Sequence, residues 1–123
     1  MFASSIGWIL IFSGLITAGA GLATLLFPHL ILRLGFGVET PDGSTVLFAR
    51  HWGLLVAVIG ALIVYGAEAS AVRNPVLVAA IIEKLALGLL IFFGPVKRTS
   101  AMTALAIGDG TFAILYIAYL AGQ

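Results

Sequence analysis

Side chains able to do chemistry are few in this chain, and they are grouped. Arg50, His51 and Trp52 stand consecutively in Phe48-Ala49-Arg50-His51-Trp52-Gly53, at the front of a long apolar run. Glu83-Lys84 interrupt a second run, and Asp109, between Gly108 and Gly110, interrupts a third. Two acids in a low-dielectric setting suit a proton relay or general acid/base chemistry, with Glu83 and Asp109 as the catalytic pair if the protein is an enzyme. Arg50 suits an anion or substrate anchor, and His51 a proton shuttle. Each has a plainer reading: Arg50 in a structural ion pair with Glu83 or Asp109, His51 as a hydrogen-bonded helix residue, Trp52 as a headgroup anchor. His51, Glu83 and Asp109 are three metal-ligand types, but Arg50 and Lys84 would repel a cation, so no metal site is expected. The chain shows no Gly-rich phosphate loop, nucleophile elbow or metalloprotease motif, and no cofactor is assigned.

The elements that must position these residues follow from composition. Of 123 residues, 62% are hydrophobic and 9% charged. Soluble domains carry roughly 25% charged and 45–50% apolar residues, so one integral membrane domain, 1–123, is expected. A net charge of +1 provides no basic stripe to neutralise phosphates and argues against nucleic acid. The absence of Cys excludes disulfide exchange and thiolate chemistry.

Crossing a hydrocarbon core of ~30 Å takes ~20 helical residues. Four runs qualify: about Ser5 to Phe27, Val46 to Ala67, Pro75 to Gly94 and Ser100 to Ala121. Ser4 or Ser5, Ser44 or Thr45, Asn74, and Thr99 or Ser100 are the expected caps. Pro28 and Gly94-Pro95 are the expected stops. Within the first run, apolar Ile6 to Ile16 followed by Ala18-Gly19-Ala20 has the outline of a signal peptide, but the first basic residue is Arg33, so a helix of the mature protein is expected. The runs do not alternate in polarity, which argues against a β-barrel. Short connections predict an all-α, up-down-up-down four-helix bundle. Leu30, Ile31 and Leu34 alternate with His29 and Arg33, predicting a short interfacial segment between the first two helices. Arg33, Lys97 and Arg98 outnumber Arg73, which favours cytoplasmic loops at 28–45 and 95–99.

Counting 1.5 Å per residue from that side puts Arg50 ~6–8 Å deep, Asp109 ~14 Å, Lys84 ~15 Å and Glu83 ~16 Å. Mutual pairing of Arg50, Glu83, Lys84 and Asp109, bordered by His51, is therefore expected, because unpaired charges at such depth cost ~2.5–3.5 kcal/mol each. Glu83 shares a small-residue stripe with Ala79 and Ala86 and should face inward, whereas Lys84 is turned ~100° away. Asp109 shares a stripe with Phe112, Tyr116 and Tyr119; Trp52, Phe112 and Tyr116 are candidate pocket residues. Gly7, Gly14 and Gly21 recur every seven residues, and Gly53, Ala57 and Ala61 every four, either for packing inside one bundle or for docking the first helix onto a partner chain.

The Arg50-His51-Trp52-Gly53 element opening the second helix, Glu83-Lys84 in the third and Asp109-Gly110 in the fourth resemble the small bacterial DoxX-like four-helix membrane proteins. That resemblance implies a bacterial inner membrane location and either quinone-coupled oxidation or an accessory role in a membrane complex. The expected function is a non-catalytic accessory or structural subunit, fixed by its buried charges and packed into an oligomer or larger membrane complex. A membrane enzyme acting on an isoprenoid, sterol-like or quinone substrate is the alternative, and a proton-coupled small transporter a further one.

Overall fold

Long stretches of Leu, Ile, Ala, Val and Gly, broken only by Pro and polar clusters, leave backbone hydrogen bonding no better outlet than helix. The computed structural model describes residues 2–95 and 97–123, and these form five helices: α1 (Phe2–Leu26), α2 (Pro28–Phe36), α3 (Gly43–Glu68), α4 (Ser70–Phe93) and α5 (Ser100–Ala121). All but α2 are long and apolar enough to cross a membrane. Their outward faces carry exposed Trp8, Phe12, Phe48 and Phe93.

Local chemistry explains the ends. Phe27 alone separates α1 from α2, whose first residue is Pro28, where a missing N–H costs nothing. Gly37, at φ 73°, ends α2 in the left-handed conformation that glycine adopts without strain. Asp42, not Ser44 or Thr45, caps α3: its carboxylate accepts from the Thr45 N–H at 2.8 Å. That bond lowers the Asp42 pKa, because a hydrogen bond to the charged form favours it. Thr99 caps α5 by accepting from the Met102 N–H at 3.1 Å.

Two further boundaries differ from expectation. Ser4 and Ser5 lie within α1, which begins at Phe2. Helix α4 starts at Ser70, so Asn74 is no cap and Pro75 is inside the helix. The reason is Arg73. Its guanidinium donates to the carbonyls of Gly66 at 2.7 Å and Ala67 at 2.9 Å, satisfying the last turn of α3. The two helices then close into a hairpin with only Ala69 between them.

Helix α1 lies along α3. Gly7 is beside Ala67, Gly14 beside Gly60 and Val64, and Gly21 beside Gly53 and Ala57, so numbers fall along α3 as they rise along α1. A Cβ on Gly21, Gly53 or Gly60 would come within 3.0 Å of the facing backbone. The glycine stripe is thus used inside the chain and does not form a free docking face. Helix α4 joins α3 to α5, and α2 touches α1, α3 and α5. The Thr99 hydroxyl ties α5 to α2 by donating to the Gly35 carbonyl at 2.5 Å. Two apolar clusters form the interior: Ile6, Leu10, Ile63, Leu77, Ala80 and Tyr116, and Ile91, Met102 and Ala106.

Candidate functional site

A polar centre separates the two apolar clusters along α4 and α5. Lys84 is fully buried. Its ammonium is 3.2 Å from Asp109 Oδ1 and donates to Thr17 Oγ1 at 2.9 Å. It also lies 5.5 Å from the centre of the Phe112 ring, within cation–π range. Three helices therefore meet at one cation: α4 supplies the lysine, α5 the carboxylate and the ring, α1 the hydroxyl. Asp109 keeps 14% of its side chain exposed. An ammonium buried without partners would be far more costly than this arrangement, in which opposite charge and hydrogen bonding replace water.

One stage along α1, Ser13 and Tyr116 meet at 2.5 Å, both buried. Ser13 Oγ also reaches the Ile9 carbonyl at 2.7 Å. A serine hydroxyl has a single proton to give, so with that proton on Ile9 the Tyr116 phenol is the donor to Ser13. Tyr116 is thus a locked core residue. Phe112 packs against the same cluster.

The expected group of four charges reduces to a pair. Among the described residues, Lys84–Asp109 is the only ion pair. Arg50 and His51 are exposed and line a shallow depression with Leu25, Gly43, Val46, Leu47 and Leu54. The inward assignments of Glu83 and Lys84 are also exchanged. Lys84 shares its side of α4 with buried Leu77, Ala80 and Ile91, whereas Glu83 is only partly buried. Its Oε2 is nevertheless shut away from solvent and has no hydrogen-bond partner among the described residues. The physical cause is reach: a lysine on the α5-facing side meets Asp109, whereas Arg50 is seven residues from the start of α3, near one end.

Of the three candidate pocket residues, Trp52 lines a cavity. It stands edge-on to Phe36, ring centres 6.3 Å apart, over a cavity of about 500 Å3 bounded by Thr24, Ile31, Leu32, Phe48 and Leu87 among others. Neither Glu83 nor Asp109 lines it.

Sequence reasoning passed over Thr17 as an acceptor and Arg73 as a fastening. A legible signal for Thr17 existed: Ser13, Thr17 and Thr24 are spaced four and seven apart, a hydroxyl stripe on one face of an uncharged helix. Arg73 also donates to the Tyr119 hydroxyl at 3.2 Å. Asn74 and Gln123 exchange two amide hydrogen bonds, at 2.8 and 3.1 Å. No family model, curated protein or solved structure matches the chain.

Proposed function

We propose that this is a small integral membrane protein with a non-catalytic, structural role: an up-down-up-down four-helix bundle, fixed by a buried charge pair, that serves as a subunit of an oligomer or larger membrane assembly. The observation carrying the reading is Lys84. Its ammonium, fully buried, is occupied by Asp109, Thr17 and Phe112 from two other helices. A cation so enclosed is not available to a substrate, and polar groups satisfied across helices fix register. Residue numbers fall along α3 as they rise along α1, and the pairs Asn74–Gln123 and Lys84–Asp109 run the same way between α4 and α5, which supports the alternating topology. In this reading α2 is the interfacial segment, the loops at 28–45 and 95–99 face the cytoplasm, and the resemblance to DoxX-like proteins points to the bacterial inner membrane. Purification in mild detergent tests the subunit role: a discrete assembly, or co-purifying membrane proteins, is expected, and a lone monomer at every concentration would overturn it.

A second reading, an enzyme acting on a lipid-soluble substrate, draws on one observation. Glu83 lies one helical turn before Leu87, a lining residue of the 500 Å3 cavity, and has an oxygen with no partner among the described residues. Turnover abolished by Glu83→Gln with the fold intact would favour this reading over the first.

A further inference from the structure

We infer that the shallow depression at the start of α3 is a binding site for an anionic phospholipid, with Arg50 and His51 holding the phosphate and an apolar wall receiving an acyl chain. This inference rests on the reading of α3 as a membrane span.

The first observation is an unmet charge. Arg50 is exposed and takes part in no ion pair among the described residues. The two elements that flank the depression cannot supply one. No Asp or Glu occurs before Glu39, so α1 has none, and none occurs from Gly43 to Ala67, which leaves α3 acid-free up to its last residue. Asp42, near the rim, is engaged as the cap of Thr45.

The second observation is depth. Helix α3 has 26 residues, ~39 Å at 1.5 Å per residue, against a hydrocarbon thickness of ~30 Å. Arg50, seven residues from the helix start, is therefore ~10 Å along the axis and, for a centred span, ~6 Å below the boundary. A guanidinium there extends toward the interface, where the phosphate of a lipid is the anion within reach. Arg presents a planar fork of donors that matches phosphate oxygens in pairs. His51, adjacent and exposed, adds an N–H on the same rim.

The third is shape. The depression, about 420 Å3, has Leu25 of α1 and Val46, Leu47 and Leu54 of α3 as its walls. An acyl chain descending from a headgroup held at Arg50 would run along these residues. Charge excess at this end favours an anionic over a zwitterionic lipid: Arg33, Lys97 and Arg98 belong to the same end of the bundle, against Glu39 and Asp42.

The test uses the full chain, purified in detergent and exchanged into mixed micelles containing equal phosphatidylglycerol and phosphatidylcholine, with retained lipid read by native mass spectrometry. Wild type is expected to retain phosphatidylglycerol over phosphatidylcholine. Arg50→Gln should lower that preference about fivefold, the equivalent of ~1 kcal/mol per basic residue near a lipid surface. Arg98→Gln, on the same end but outside the depression, should lower it less. Equal retention of the two lipids by wild type, or an undiminished preference in a helical Arg50→Gln, overturns the inference. Should Arg50→Gln fail to fold, the wild-type comparison and His51→Gln still decide. Alkaline carbonate extraction separates the two levels: a chain that stays in membranes without lipid preference sinks this site alone, and one that washes out sinks the membrane reading with it.

Discussion

Glu83 and Lys84 are sequence neighbours with opposite surroundings, because one residue of helix is ~100° of rotation. Lys84 points to Asp109 and Thr17, and Glu83 does not. Removing one member of a buried pair leaves the other unpaired, so Lys84→Met should destabilise the protein by about 3–5 kcal/mol. The double variant Lys84→Met/Asp109→Leu should recover most of that loss, since an apolar pair of similar volume needs no partner. Denaturant unfolding of wild type, Lys84→Met, Asp109→Leu and the double variant in one detergent, followed by circular dichroism, closes the cycle. At the α3 cap, the sign of the pH effect follows from Asp42. Its folded pKa is depressed by the Thr45 hydrogen bonds. The contribution is therefore fully present above the unfolded value of 3.8 and is lost as pH falls through the lower folded value. Protection of the Thr45 and Val46 amides, measured against the intrinsic exchange rate at each pH, should fall below that range and hold steady between pH 5 and 8, while Asp42→Asn should flatten the dependence.

At the scale of elements, glycines divide into two sets that the sequence does not distinguish. Gly21, Gly53 and Gly60 have no room for a Cβ before the facing backbone, whereas Gly108 and Gly110 flank Asp109 with open space. Gly21→Ala or Gly60→Ala should force α1 from α3 and cost about 1–3 kcal/mol. Gly108→Ala should be neutral or stabilising by up to ~1 kcal/mol through helix propensity. Thermal unfolding in detergent distinguishes the sets. The α3–α4 turn makes a similar demand on Arg73, which bonds two carbonyls of α3. Arg73→Ala should cost about 1–3 kcal/mol and fray the turn, as removal of a charged donor exposes carbonyls without replacing their bonds. Thr99 and Gly94 were legible as the ends of α5 and α4, whereas at α3 two hydroxyl residues drew the cap away from Asp42, three residues before Thr45. Boundary reading failed at Asn74-Pro75, because the residue that sets that end, Arg73, acts on carbonyls six and seven residues earlier.

For the whole molecule, the proposed topology is open to direct labelling because the chain has no Cys. Single cysteines at Thr40 and Lys97 should be shielded from a membrane-impermeant thiol reagent in intact cells, and a cysteine at Gln123 should react. The reverse pattern would invert the proposed orientation. Composition and hydropathy alone determined the all-α class and the presence of four helices able to cross a membrane. They do so because burying backbone in an apolar medium leaves each segment to satisfy its own hydrogen bonds. Tertiary structure decided which polar groups meet. Depth counting brought Lys84 and Asp109 to one level, since depth is linear in sequence. It also drew in Arg50, which the structure leaves on the surface, and assigned the interior to Glu83 in place of Lys84. Which way a side chain faces depends on the rotation of each helix about its axis. That rotation is set by close packing, such as Gly21 of α1 against Ala57 of α3 and Gly60 of α3 against Ala18 of α1, between residues far apart in the chain.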